Sequence, residues 1–544
     1  MTARMRKFWG WGYADEIVGE QEAAMVRAVV AGRFGALAEP LRVPRLEDIT
    51  LPPSRLSPPD ALSAIITSDP AERVGHAYGQ SFADIVRAFQ RSFDNPPDLV
   101  AYPRTTDQVA ALLDWADGAK VAVIPYGGGT SVCGGVEPDV GEAYAGTLTV
   151  DLSRMNRVLE VDRTARAALI EAGATGPEFE AALKPHGLTL RHFPQSFALA
   201  TLGGMIVTRS GGHFATLYTH IDAFVQAVEM VTPRGVMQTR RLPASGAGPD
   251  PHGLVCGSEG TLGIVTKAWM RLQDVPVHRS SATVRFSDVF AAARAVRAIA
   301  QSGLNPANCR LLDPAEAAMN GLDNQRRALL VLGLESADHP QDARLDRALE
   351  IAADHGGTAD PPKAGSDRSG TADAWRTAFL RMPYWREVVV PHGVIVDTFE
   401  TACSWTAFDD FYTGVIDDVG SAMRQVTGRD GVISCRFTHV YPDGPAPYFT
   451  FSCPSSPDAM LDHWRQIKLA ANDAVVRRGG TITHHHAVGR DHRVRGYDAE
   501  RPEAFARALQ GAKAAVDPAG ILNPGVLIDP DGSQAGPGGV LAGR

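Results

Sequence analysis

An apolar run, Val-Ala-Val-Ile-Pro at 121–125, leads straight into Pro125-Tyr126-Gly127-Gly128-Gly129-Thr130-Ser131-Val132. The run has the pattern of a buried strand, and the glycines that end it remove the Cβ atoms that would keep an anion from backbone N–H groups. Thr130 and Ser131 add hydroxyl donors suited to a pyrophosphate. No Lys-Ser/Thr follows at Walker spacing, and the G-x-G-x-x-G order is absent. Three more segments share this small-and-hydroxyl character. They are 195–204 (with Gln195, Ser196, Thr201, Gly203 and Gly204), 208–212 (Thr208, Arg209, Ser210, Gly211), and 257–266 (Glu259, Gly260, Thr261, Leu262, Gly263, Ile264, Val265). One glycine cluster is an ordinary turn; four in a single region point to a ligand cradle.

At 544 residues the chain exceeds one core and should hold two to four units. Its formal charge of −9 offers no basic field for nucleic acid. No apolar run reaches the roughly 18 residues of a membrane span. The six cysteines lack Cys-x-x-Cys spacing, which argues against a disulfide framework or a cysteine zinc site and fits a reducing compartment. The basic start has no apolar stretch of signal-peptide length, so a cytoplasmic protein is the expectation.

Composition shifts divide the chain into 1–94, a helical segment with Pro-rich connections; 95–276, holding the glycine loops; 277–505, a long α/β segment; 506–530, a terminal helix and return; and 531–544, a Gly/Pro/Ser tail expected to be disordered. Thr105-Thr106-Asp107 opens a helix whose Val109, Leu112 and Leu113 form one apolar face, with Gly118 as its expected end.

PYGGGTSVCGG, the distant GSEGTLGIVT and the terminal DPAGILNPG resemble the vanillyl-alcohol-oxidase (PCMH-type) FAD-binding family. The resemblance implies an α+β fold: a two-subdomain FAD-binding domain, an α/β cap over the isoalloxazine, and a helical N-terminal segment. The four glycine-rich segments, residue by residue as given above, would then be the cofactor site. Many relatives carry a histidine for a covalent flavin link where this chain has Thr130, so FAD is expected to be held non-covalently.

CRFTHVYPDG (435–444), Tyr448-Phe449-Thr450-Phe451 and GTITHHHAVG (480–489) narrow the likeness. Together with KFWGWGY (7–13), Arg386 and Phe399-Glu400-Thr401, they are similar to the alkyldihydroxyacetonephosphate synthase branch. That resemblance implies a transferase of ether lipid biosynthesis that exchanges the acyl group of acyl-dihydroxyacetone phosphate for a fatty alcohol through a flavin N5 adduct. It implies that Tyr448 is a proton donor and acceptor, that Arg386 binds the substrate phosphate, and that His484, His485, His486 and His192 serve the active site. Arg310 falls at a further sensitive arginine. The chain departs from the pattern at Tyr218-Thr219-His220, where the better-known members carry glycine after the tyrosine, and at Gln195, which replaces an acidic residue of animal members.

An extended TITHHH segment would point His484 and His486 to one face and His485 to the other. A phenol can act on a carbon beside a ketone if cations lower its pKa, a role open to Arg386 or a protonated histidine. His-x-His spacing also suits a metal, but no Cys, Asp or Glu cluster accompanies it in the sequence, so no metal is expected. Two other readings stand beside the synthase: an FAD-linked oxidoreductase of a 2-hydroxy acid or alcohol, and a non-catalytic FAD- or lipid-binding protein. Peripheral membrane contact and a homodimer are both compatible with the chain.

Overall fold

The computed structural model describes residues 4–360 and 381–529; most of the Gly/Asp/Ala/Ser-rich stretch near 356–374 and the tail at 531–544 lie outside the described residues. Four sheets organise it. In the first, Leu99–Ala101 and Ala122–Tyr126 run parallel to Thr147–Asp151 between them, and Ile66–Thr67 adds an antiparallel edge. The N-terminal segment is therefore not purely helical: Ile66 is buried and Tyr102 N–H donates to Ile65 O, which ties residues 65–67 to the sheet. Helix Thr106–Ala119 is capped by the Thr105 hydroxyl and buries Val109, Leu112 and Leu113. It runs through Gly118 and ends at Lys120, which takes the left-handed conformation expected of glycine.

The second sheet is antiparallel, in the order Val158–Asp162, Ala167–Glu171, Ile264–Arg271, Val225–Thr232, Gly235–Gln238. It shares one apolar core with the first, through residues such as Val123, Leu148, Ile170, Met230 and Ile264. The chain returns to this core at its end. Val123 N–H donates to Ile521 O and Asn523 N–H to Val123 O, beside helix Glu503–Val516.

A seven-stranded antiparallel sheet forms the cap, ordered Thr358–Ala359, His278–Phe286, Ala328–Ser336, Asn308–Leu312, Val432–Val440, Pro445–Pro454, Val394–Glu400. Helices Val289–Gln301, Asp342–Asp354, Phe408–Thr427 and Met460–Arg477 bury apolar faces against it in a second core. Nearly all of Pro445–Pro454 is buried, as the run Tyr-Phe-Thr-Phe implies. The N-terminal Lys7 makes a buried ion pair with Glu387 at 2.7 Å, and Trp11 N–H donates to the same carboxylate, so this stretch clasps the cap by packing.

Candidate active site

The glycine-rich segments converge. A Cβ on Gly128 would overlap the Leu199 carbonyl oxygen, and one on Gly127 the Thr201 hydroxyl. Gly260, at φ +73°, lies against Pro125, and Glu259 N–H donates to Val207 O. Segments 125–131, 199–201, 207–209 and 257–260 thus interlock by backbone contacts that side chains would prevent. The N–H groups of Gly128, Gly129, Thr130 and Ser131 donate to no protein acceptor among the described residues. A run of free N–H groups beside two hydroxyls fits the pyrophosphate of FAD.

Other residues of these segments hold the cradle together. Thr201 caps helix Leu202–Val207, Gly203 packs on Ala172, Thr208 donates to Gly204 O and Arg209 pairs with Asp222 at 2.9 Å. Leu262, Ile264 and Val265 are core residues, and a side chain on Gly263 would meet Met230. The Glu259 carboxylate accepts from Val488 N–H (2.8 Å) and Gly489 N–H (2.7 Å), while its carbonyl accepts from Asn523. Burial raises its pKa to about 7 against those two donors. Glu259 is therefore a clamp on the strap that carries the histidines.

That strap is not extended. Glu400, at the end of strand Val394–Glu400, accepts the backbone N–H groups of His484, His485 and His486 at 2.9–3.0 Å, and the Thr483 hydroxyl at 2.5 Å. Successive N–H groups of a strand point to opposite sides, so one carboxylate can gather three only where the chain bends. The alternation expected of TITHHH is lost for this reason. The His485 ring adds an Nδ1–Oε2 contact of 3.1 Å. Burial opposes the carboxylate charge, but the histidines outweigh it and hold Glu400 well below the usual range.

The three rings do different things. His484 Nε2 meets the Tyr441 hydroxyl at 2.6 Å, and its Nδ1 lies 3.1 Å from His485 Nδ1. His485 and His486 pack against the Tyr448 ring, at 6.1 and 5.2 Å between centroids. Burial lowers the pKa of His484 and His486 well below the ordinary value. Ring nitrogens of His439, His484 and His485 come within 4.8 Å of one another, and the Glu400 carboxylate reaches His485 Nδ1 at 3.1 Å. His439 is committed on both nitrogens, to Gly212 O (2.8 Å) and the Thr438 hydroxyl (3.1 Å). Nε2 must donate its proton to the Gly212 carbonyl, so a metal could take only the Nδ1 lone pair that the Thr438 hydroxyl faces.

Tyr448 sits between Arg436 and Glu400 in cross-strand register. Its hydroxyl donates to Thr398 Oγ1 at 3.1 Å, and the Arg436 guanidinium lies 3.8 Å from the ring centroid. Burial raises the phenol pKa and outweighs the lowering by Arg436, so the resting phenol keeps its proton. The stacked cation is Arg436, not Arg386 or an imidazolium, and it does not bring about the lowered pKa anticipated for Tyr448.

Arg386, on the helical stretch 381–389, spends Nη1 on Gln80 O at 3.0 Å. Its Nε and Nη2 are shielded from solvent and have no hydrogen-bond partner among the described residues. Burial lowers its pKa, while Asp397 and Tyr448 lie within its electrostatic reach. Arg310 is fully buried against His213 and is lowered to about 9 by burial and by Arg436. His192 is buried, bonded through Nε2 to the Ser210 hydroxyl at 2.8 Å, and held neutral by burial with a pKa of about 3. Its Nδ1 faces the Gly212 backbone, while Gly211 lies against His439 and His485. Gln195 and Ser196 open the turn that brings Leu199 to the glycine loop.

Sequence reasoning passed over Glu400, Arg436, His439, Tyr441 and Thr398. The first four stand inside motifs that drew attention, Phe-Glu-Thr and CRFTHVY, yet their roles depend on cross-strand register and on a turn 84 residues away along the chain from Glu400 to His484.

The fold and this cradle are those of a flavin-binding protein. An FAD binding domain model matches residues 97–240 and the C-terminal domain model of FAD linked oxidases matches 275–527, so the chain belongs to the vanillyl-alcohol-oxidase/PCMH-type family of FAD-linked flavoproteins. Within that family it is similar to the alkyldihydroxyacetonephosphate synthases. It is 28% identical over 511 residues to the one from Trypanosoma brucei brucei, covering 88% of this chain and 82% of the relative. It is 28% identical over 489 residues to the one from Dictyostelium discoideum, covering 85% and 78%. A solved alkyldihydroxyacetonephosphate synthase superposes with a TM-score of 0.78 at 24% identity, over 95% of this chain and 98% of that one.

Proposed function

We propose that the protein is an FAD-dependent alkyldihydroxyacetonephosphate synthase, replacing the acyl group of acyl-dihydroxyacetone phosphate with a fatty alcohol to give an ether lipid precursor. The observation that carries this reading is Arg386. An enclosed guanidinium with two unpaired nitrogens is costly unless a ligand supplies an anion, and its planar donors suit two phosphate oxygens at once. It lies within electrostatic reach of Tyr448, the family's proton-transfer position.

The 125–131 cradle would hold FAD non-covalently, and the bound flavin would supply the nucleophilic centre that the acyl–alkyl exchange needs. The chain does the rest. Arg386 anchors the phosphate, and Tyr448 exchanges a proton at the carbon beside the ketone. Arg436, against the phenol ring, steadies the phenolate through which that exchange passes. Glu400 fixes the histidine rings around the tyrosine.

The test is anaerobic incubation of the purified flavoprotein with palmitoyl-dihydroxyacetone phosphate and hexadecanol, with mass detection of products. Alkyl-dihydroxyacetone phosphate and free palmitate in equal amounts support the reading. No ether, with flavin bleached by a 2-hydroxy acid or alcohol, overturns it in favour of an oxidoreductase.

A further inference from the structure

The synthase reading leaves one proton to be disposed of, and this inference rests on that reading. The departing fatty acid leaves as a carboxylate, and the entering alcohol gives its oxygen to the new ether bond. The C–O bond to the acyl group breaks, the C–O bond to the alkyl group forms, and the alcohol's O–H proton is left in a buried site. A fatty acid is ionised near neutral pH, so this proton must reach solvent on every turnover.

We propose that His485, His484, Tyr441 and Thr219 form the exit path for that proton. The chain of contacts is continuous. His485 Nδ1 lies 3.1 Å from His484 Nδ1, His484 Nε2 lies 2.6 Å from the Tyr441 hydroxyl, and that hydroxyl lies 2.9 Å from Thr219 Oγ1. The inner end, His485, packs on the Tyr448 ring. The outer end opens into a pocket of about 440 Å³, lined by Thr219, His220 and Tyr441 along with Tyr218, Asp222 and His252. Tyr218 is 43% exposed, so the pocket reaches the surface.

The chemistry of each link permits transfer without a lasting charge. His485 takes the alcohol's proton on Nε2 and passes the one on Nδ1, which it shares with Glu400 Oε2 at 3.1 Å, to His484 Nδ1; His484 releases a different one from Nε2 to the Tyr441 oxygen; Tyr441 hands its own to Thr219 and the pocket. Each group gains one proton and loses one. Imidazole, phenol and hydroxyl can each be donor and acceptor, whereas a methyl or phenyl group at any link would break the series. Glu400, His220, His439 and Arg209 surround His484. His220 is itself fixed by its Nε2, 2.8 Å from His484 O, which leaves Tyr441 as the ring's outward partner.

Tyr441 and Thr219 act through His484 and are positioning residues. The experiment compares Tyr441→Phe, Thr219→Val and the unaltered holoenzyme in ether synthesis. Tyr441→Phe should lower kcat about 10- to 100-fold with KM for both substrates within about twofold, enlarge the solvent deuterium isotope effect on kcat, and recover on adding imidazole. Thr219→Val, which keeps the side-chain shape, should show the same signature at smaller size. In the histidine-labelled protein, the 15N resonances of His484 should shift in Tyr441→Phe, with or without substrate. Unchanged kcat and isotope effect in both variants would overturn the path, as would a loss that imidazole fails to restore in a variant that melts normally. Failure of the unaltered enzyme to make ether is a separate result and removes the synthase reading itself.

Discussion

Glu400 holds His485 twice, by the backbone N–H at 3.0 Å and by ring Nδ1 at 3.1 Å. A residue of the cap sheet thereby fixes a ring on the strap that Glu259 clamps to the glycine-loop region. Glu400→Gln keeps the shape but sets an amide donor against N–H groups that need an acceptor. The expected loss is about 3–5 kcal/mol of stability in urea melts, in line with breaking a buried charge from its partners. A loss under 1 kcal/mol would mean that the strap holds its bend without this carboxylate.

Arg386→Ala should separate binding from folding. The KM for acyl-dihydroxyacetone phosphate should rise about 100-fold, while turnover of the corresponding phosphate-free ketone ester stays within about twofold. The melting temperature should hold or rise, because the change removes a buried charge with two unpaired nitrogens. An equal loss on both substrates would detach Arg386 from the phosphate.

Tyr448→Phe should retain the yellow colour and fold, since the ring still packs against Arg436, His485 and His486. Only the hydroxyl and its bond to Thr398 are lost. Ether formation should fall by roughly 10²–10⁴, the usual range for a general acid–base group. Retained turnover would assign proton transfer elsewhere.

His192 gives a pH signature with a definite sign. Folded, its pKa lies near 3; unfolded, near 6.5. Below about 6.5 the unfolded chain takes a proton that the folded one refuses, so this residue lowers stability as pH falls toward 3. In His192→Gln that dependence disappears. Relative to the unaltered protein, the variant should gain about 1–2 kcal/mol in urea melts between pH 7.5 and pH 5. A parallel dependence in the two proteins would show that His192 is already charged when folded.

How much of this was legible depended on the range of each cause. The glycine loops declared themselves because a glycine requirement is local: Gly128 has no room for a Cβ, whatever the rest of the chain does. The buried strand of Tyr448 was equally plain from its apolar run. The histidine run was visible, but its geometry was not. A carboxylate from another strand decides it, and local periodicity carries no trace of that carboxylate. Arg436 was hidden for a similar reason, since its position over Tyr448 follows from register in the cap sheet. The tyrosine's pKa went the other way because the degree of burial, which sequence does not state, outweighs one stacked cation.

The return of the chain to its first sheet sets an order on biosynthesis. Val123 finds its partners at Ile521 and Asn523, and Asp517, paired with Lys513, accepts the N–H groups of Ile521 and Leu522. The glycine cradle leaves the ribosome long before this closing segment does. A nascent chain must therefore carry an unsealed cofactor domain while the whole cap is still being made, and the flavin can be locked in only after residues 517–523 have been added.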